Sequence, residues 1–180
     1  MNVGKYKVTN PARLTIGKTW TTVVLKGDKD PYNKGLNPRT EVTILKDHPL
    51  GLMHILFSCK ASNNVTFLQV MGRNALGEGK PIMSLDTHNG FVNFRLRNFA
   101  DESMIRTKLF MNSDWIDGML QLDLALKGSA DVNINNIHKS FSGPMRWANS
   151  KPAWIQFGSY LTNYVVNPTG KTEYAKLNIT

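Results

Sequence analysis

Along this chain apolar residues alternate with polar ones over short segments and recur at helical spacing almost nowhere. The clearest segment sets Leu120, Leu122, Leu124 and Leu126 between Gln121, Asp123 and Ala125. Val92, Phe94 and Leu96 repeat the pattern, with Asn93, Arg95 and Arg97 on the opposite face. Successive side chains of an extended chain point to opposite sides, so each such segment predicts a strand buried on one face. The same reading gives strands at 20–25, 41–45, 53–58, 65–71, 82–86, 132–137, 154–161 and 171–177. Turn residues separate them: Gly27-Asp28, 47–51, Ser62-Asn63-Asn64, His88-Asn89-Gly90, Lys127-Gly128-Ser129 and 167–170. Asn89-Gly90 between two alternating runs predicts a tight hairpin. The glycines of 72–79 predict a flexible loop between strands, and 101–114, whose period is ambiguous, a loop or a short helix. About ten strands without helical crossovers predict antiparallel sheets packed as a sandwich, with less than about a tenth helix. No linker or repeat interrupts 1–180, so the expectation is one all-β domain.

Composition narrows the class. Hydrophobic residues make up 41% of the 180 and charged residues 19%, the balance of a chain that buries a core. Apolar runs are a few residues long, far short of the roughly 20 that a membrane helix needs. The first residues include lysines but no apolar leader segment. Cys59 is the one cysteine and excludes an internal disulfide. The net charge of +9 favours a polyanionic partner, whether nucleic acid, an anionic membrane or an acidic polysaccharide. His48, His54, His88 and His138 show no paired ligand spacing, so no metal site is expected. No G-x-S-x-G elbow occurs, and the glycines of 72–79 precede no helix that would make them a phosphate loop. Arg95 and Arg97 read as a solvated basic face. Trp20, Trp115, Trp147 and Trp154 do not cluster with basic residues, which makes nucleic acid an unfavoured partner.

Three predicted strands carry a more specific signal. Period-two alternation puts Arg39, Glu41 and Thr43 on one face, Gln69, Met71 and Arg73 on another, and Trp154, Gln156, Gly158 and Tyr160 on a third. Side by side in one sheet, these faces form a groove holding arginine, two glutamines and a phenol. The segments also resemble a known family. Arg39-Thr40-Glu41-Val42 is similar to the RTEL or RSEL signature of alginate-lyase-type polysaccharide lyases. Gln69-Val70-Met71-Gly72 stands where their QIHG segment falls. Residues 154–160 resemble their YFKAGVY segment and the KFGIY segment of heparin-lyase-like folds. The order along the chain is the same, 81–85 followed by Asn89-Gly90 resembles their next hairpin, and the likeness spans roughly 37–163.

The resemblance implies a concanavalin-like β-jelly roll of two curved antiparallel sheets, with an acidic polysaccharide across the concave one. It implies β-elimination at a uronic acid without metal or organic cofactor. Donors neutralise the carboxylate so that the C5 proton becomes removable, and a phenol serves as acid and base. By resemblance Arg39 and Gln69 are the neutralisers and Tyr160 the acid/base. Glu41 holds Arg39, while Arg73, Trp154 and Gln156 contact substrate. Three positions depart from the pattern. The family histidine is Met71, the lysine of YFKAG is Gln156, and the second arginine of RTELR is Thr43. Met71 can neither donate a hydrogen bond nor take a proton, so His54, on a predicted strand, is the candidate replacement. Beside the lyase stand two other readings. One is a non-catalytic glycan-binding or attachment module of the same fold, secreted or virion-borne. The other is a basic nucleic-acid binder, supported by charge alone.

Overall fold

The computed structural model describes residues 5–25, 28, 38–44, 51–112, 114–148, 153–161 and 169–180. These residues form two antiparallel seven-stranded sheets packed face to face, a jelly-roll sandwich. One sheet contains β1 (Tyr6–Val8), β4 (Arg39–Ile44), β6 (Val65–Arg73), β7 (Gly79–His88), β8 (Phe91–Arg97), β9 (Met104–Met111) and β13 (Trp154–Leu161). Its spatial order is β1-β4-β13-β6-β7-β8-β9. The other contains β2 (Leu14–Ile16), β3 (Trp20–Leu25), β5 (Leu52–Ala61), β10 (Ile116–Asp123), β11 (Gly128–Ile134), β12 (Ile137–Gly143) and β14 (Thr169–Ile179). Its order is β12-β11-β10-β5-β14-β3-β2. The one helical element described is the 3-10 turn Pro11–Arg13, and no helix among the described residues is long and apolar enough to cross a membrane.

The alternating apolar positions of both sheets meet in the core. Met53, Ile55 and Phe57 of β5 and Leu120 and Leu122 of β10 are buried from one side, Val70, Leu85, Phe94 and Phe157 from the other. Rings bridge the layers: Phe57 against Phe67, Trp20 against Phe157, and Phe157 edge-on to Tyr174 at 5.1 Å between centroids. Ser159 Oγ lies 2.8 Å from Thr22 Oγ1 and 3.0 Å from Thr172 Oγ1, a buried hydroxyl cluster joining the sheets. The Tyr174 hydroxyl donates to Phe67 O and accepts from Gly158 N at 3.1 Å. Tyr174→Phe leaves both backbone groups unpaired in a dry interior, so it is expected to cost about 1–3 kcal/mol, read as a lower urea midpoint at unchanged slope.

The structure adds strands that alternation did not predict. Residues 101–114, expected as a loop or short helix, contain β9, whose half-exposed edge position needs no clean apolar stripe. The predicted strand 132–137 runs across a hairpin. Val132 and Ile134 keep the alternation on β11, but Asn135 and Asn136 take φ of 47° and 65° and reverse the chain, so that Ile137 returns opposite Ile134 on β12. The expected flexible loop at 72–79 is instead a tight turn. Buried Asn74 accepts from the backbone N–H of Leu76 and Glu78, and its amide donates to Glu78 at 2.9 Å. The hairpin at Asn89-Gly90 forms as expected, with φ of 49° and 79°. The predicted turn positions 27, 47–50 and 167–168 lie outside the described residues.

Candidate active site

Cross-strand register arranges the outer face of the first sheet in two rows. Thr43, Gln156, Gln69, Ser84, Arg95 and Arg106 lie opposite one another across β4, β13, β6, β7, β8 and β9. Arg39, Tyr160, Thr66, Asp86, Asn93 and Lys108 form the next row. Gln156 and Tyr160 are four positions apart on β13 but pair with Gln69 and Thr66, only three apart on β6, and all four still share a face. Bulges in β6 and β13 absorb the extra residues, as they commonly do beside functional sites.

A cavity of about 330 Å³ opens between these rows, lined chiefly by Gln69, Ser84, His88, Arg95, Arg106 and Tyr160. Gln69 and Tyr160, from two different strands, therefore face one space. Arg39 lies on the β4 side of Tyr160. Its guanidinium carbon sits 4.5 Å from the phenol ring centroid, and Nη1 is 3.4 Å from the Glu41 carboxylate, which is 2% exposed. Gln156 donates to Thr43 Oγ1 at 3.1 Å, and its own Oε1 is buried with no partner among the described residues. Met71 shares the face of Gln69, packed between Trp154 and Pro81 in the ladder. Arg73 stacks over the Trp154 ring at 5.1 Å and donates to Gly77 O, at the turn end of the groove.

His54 is not in this groove. It stands on β5 in the opposite sheet, exposed and paired with Gln121, so it cannot supply the imidazole that Met71 lacks. The alternation that made 53–58 a strand carries no information on which sheet receives it. His88 is the imidazole that does reach the cavity. Its Nδ1 is buried with no partner among the described residues. Burial first, then the charge of Arg106, hold its pKa below the ordinary value; Asp86 pulls the other way, and Arg95 and Lys108 add smaller lowering effects. His88 is therefore a neutral imidazole at pH 7. Its NMR titration midpoint is expected below the usual value of about 6.5. The unfolded chain takes the proton more readily, so acidification from the ordinary range down through the folded midpoint removes stability. Above that range both states are neutral and this group adds no slope. A midpoint at or above the ordinary value would contradict the burial.

Arg95 is partly exposed but tied to the sheet by a buried carboxylate. Arg95 Nη1 lies 3.2 Å and Arg106 Nη2 3.7 Å from Asp86 Oδ2, and Asp86 is fully buried. Asn93 donates to the other oxygen at 3.0 Å. Arg97 instead turns to structure, donating to Pro81 O and Glu102 O beside the Trp147 ring. A larger cleft, about 490 Å³, lies on the other sheet around Leu56, Ser58, Asp117, Met119, Asn133 and Lys176. It is lined by no phenol, imidazole or guanidinium, and those groups gather around the smaller cavity.

Solved structures share the whole architecture. The family 7 alginate lyase A1-II′, in a complex with a GGMG substrate, superposes with a TM-score of 0.75, covering 93% of this chain and 81% of that one. The fold is that of the alginate lyases. Sequence identity to that alginate lyase is 12%; an alginate lyase from Pseudomonas aeruginosa gives a TM-score of 0.72 at 11%, over 92% of this chain and 83% of that one. An alginate lyase from Alteromonas sp. 272 matches over 97% of this chain with a TM-score of 0.61 and 12% identity. No family model and no curated protein matches the sequence. What is shared with the alginate lyases at this identity is the sandwich.

Proposed function

We propose that this protein is a polysaccharide lyase that cleaves an acidic, uronate-containing glycan by β-elimination. The observation that carries the reading is that Gln69 and Tyr160 line one cavity together with two arginines and a neutral imidazole, on an alginate-lyase fold. The glycan lies across the outer face of the first sheet, and 1–180 acts as one domain. The donors around the carboxylate stabilise the enolate-like charge that develops when the C5 proton leaves. Tyr160, acting as the phenolate, takes that proton and becomes the phenol, the electron pair forms the C4–C5 double bond, and the C4–O bond breaks. The departing glycosidic oxygen receives a proton from the same phenol. Arg39 grips the ring of Tyr160 and is itself tied to Glu41. Arg73 and Trp154 at one end, and Gln156 along the floor, contact the flanking sugars.

The direct test is to incubate the protein with a panel of acidic glycans and follow the ultraviolet absorbance of the unsaturated uronate product. A rise with at least one uronate glycan, and none with neutral glycans, is expected. Turnover should weaken as salt rises through the physiological range, where the Debye length falls to about 8 Å and the attraction of the +9 surface is screened. Failure to eliminate on every uronate glycan overturns the enzyme reading, and binding without elimination leaves a glycan-binding module.

A further inference from the structure

We propose that Arg95 and Arg106, braced by Asp86, form the subsite that receives the carboxylate of the reacting sugar. The lyase reading supplies the sugar class; the geometry supplies the charge. Arg95 and Arg106 stand directly opposite each other on β8 and β9, and like charges in that register repel. The sheet keeps them there through one buried carboxylate from the neighbouring strand, Asp86, which is also held by Asn93. One carboxylate between two guanidiniums leaves an uncompensated positive charge. It faces a cavity whose lining contains no acidic side chain.

The donors are present as well as the charge. A guanidinium carries five N–H donors in a planar fork suited to carboxylate. Asp86 accepts from Arg95 and pairs with Arg106 at longer range, and no other acceptor for either is found among the described residues. Both side chains reach solvent, at 26% and 35% exposure, so an entering anion meets them. Gln69 is in the same cross-strand row, separated from Arg95 by Ser84 alone, and Tyr160 closes the opposite side of the cavity. A carboxylate held from Arg106 and Arg95 toward Gln69 brings its sugar ring to the phenol. Arg39, on the β4 side of that phenol, is then a positioning residue for Tyr160.

The test is a calorimetric titration of the Tyr160→Phe protein, which keeps the ligand from being consumed. The probes are alginate and polygalacturonate oligosaccharides, the methyl esters of both, and a sulfated carrageenan oligosaccharide without carboxylates. At least one uronate probe is expected to bind and its ester to bind far more weakly. Arg95→Gln and Arg106→Gln should each weaken binding of the acid about tenfold, the effect of losing a hydrogen bond to a charged group. Neither should weaken the ester further, and Arg39→Gln should leave the acid's affinity within about twofold. Arg106 lies on an edge strand, so its variant tests the subsite even where Arg95→Gln disturbs the fold. Unchanged affinity in both variants, equal binding of acid and ester, or no binding of any uronate probe overturns the proposal. Preference for carrageenan overturns it in favour of a sulfate subsite. Binding through the two arginines without elimination by the unsubstituted protein would sink the lyase and leave the subsite. Full elimination by both arginine variants would do the reverse.

Discussion

Tyr160→Phe is expected to reduce elimination by about 10²–10⁴-fold, the usual contribution of a positioned acid or base. Glycan affinity should stay within about twofold, because the hydroxyl acts on the transition state rather than on the bound substrate. The phenylalanine ring retains the face on which Arg39 rests, so the change is confined to one oxygen. Gln69→Ala makes a useful companion. It removes a donor from the same cavity and should cost about 2.7–4 kcal/mol of transition-state stabilisation, as loss of an oxyanion-hole donor does. Steady-state kinetics on an accepted uronate glycan, with binding measured separately, distinguish the two effects. Undiminished turnover by Tyr160→Phe would transfer the proton chemistry to His88, the imidazole on the same cavity, whose pKa burial holds below the ordinary value.

Gly158→Ala is expected to be the most damaging small substitution in the sheet that carries the site. Gly158 has a φ of 140°, and a Cβ there would stand 2.3 Å from Thr40 O and 3.0 Å from Glu41 Cα. The backbone has no room to retreat, because Gly158 N is bonded to the buried Tyr174 hydroxyl, which is itself bonded to Phe67 O. Strain at a positive φ costs about 1–3 kcal/mol and the forced contact about 1–3 more, giving about 2–6 kcal/mol in total. Against the stability of an ordinary domain, about 5–15 kcal/mol, this is a large share. Urea denaturation should show it as a much lower midpoint. Gly158 sits in the bulge of β13, so partial activity loss should accompany it as Gln156 and Tyr160 shift relative to β6. A midpoint equal to that of the unsubstituted protein would mean that the bulge is not built as described.

The resemblance of 154–160 and 69–72 to lyase segments led to Gln69 and Tyr160, and both strands carry those residues on the outer face. Arg39 and Glu41 were legible for the same reason, since a two-residue spacing within one strand survives any arrangement of the sheets. His54 was not. It belongs to a segment of the right period, yet period says nothing about which sheet takes the strand. His88, Arg95 and Arg106 were hidden for a related reason. They lie on β7, β8 and β9, and only the ladder brings Arg106 opposite Arg95 and Arg95 opposite Ser84. The one local hint was Asn93-x-Arg95-x-Arg97, a polar face without a visible partner. Asp86 supplies that partner from the adjacent strand, and Arg97 leaves the face to bind two backbone carbonyls.

By itself the sequence determined that this protein is built of strands, where most of them run, and which face of each is apolar, because side-chain direction in a strand depends only on parity and apolar burial drives that parity inward. It also determined the Asn89-Gly90 hairpin, whose positive φ values glycine and asparagine adopt at little cost. Tertiary structure decided the rest: which strands neighbour each other, where bulges restore parity between Thr66 and Gln69, and that three cationic or imidazole side chains meet a glutamine and a phenol around one cavity. Those pairings bring together residues far apart in the chain, and their energy comes from the two-sheet core and the ladder as a whole, so no local segment encodes them.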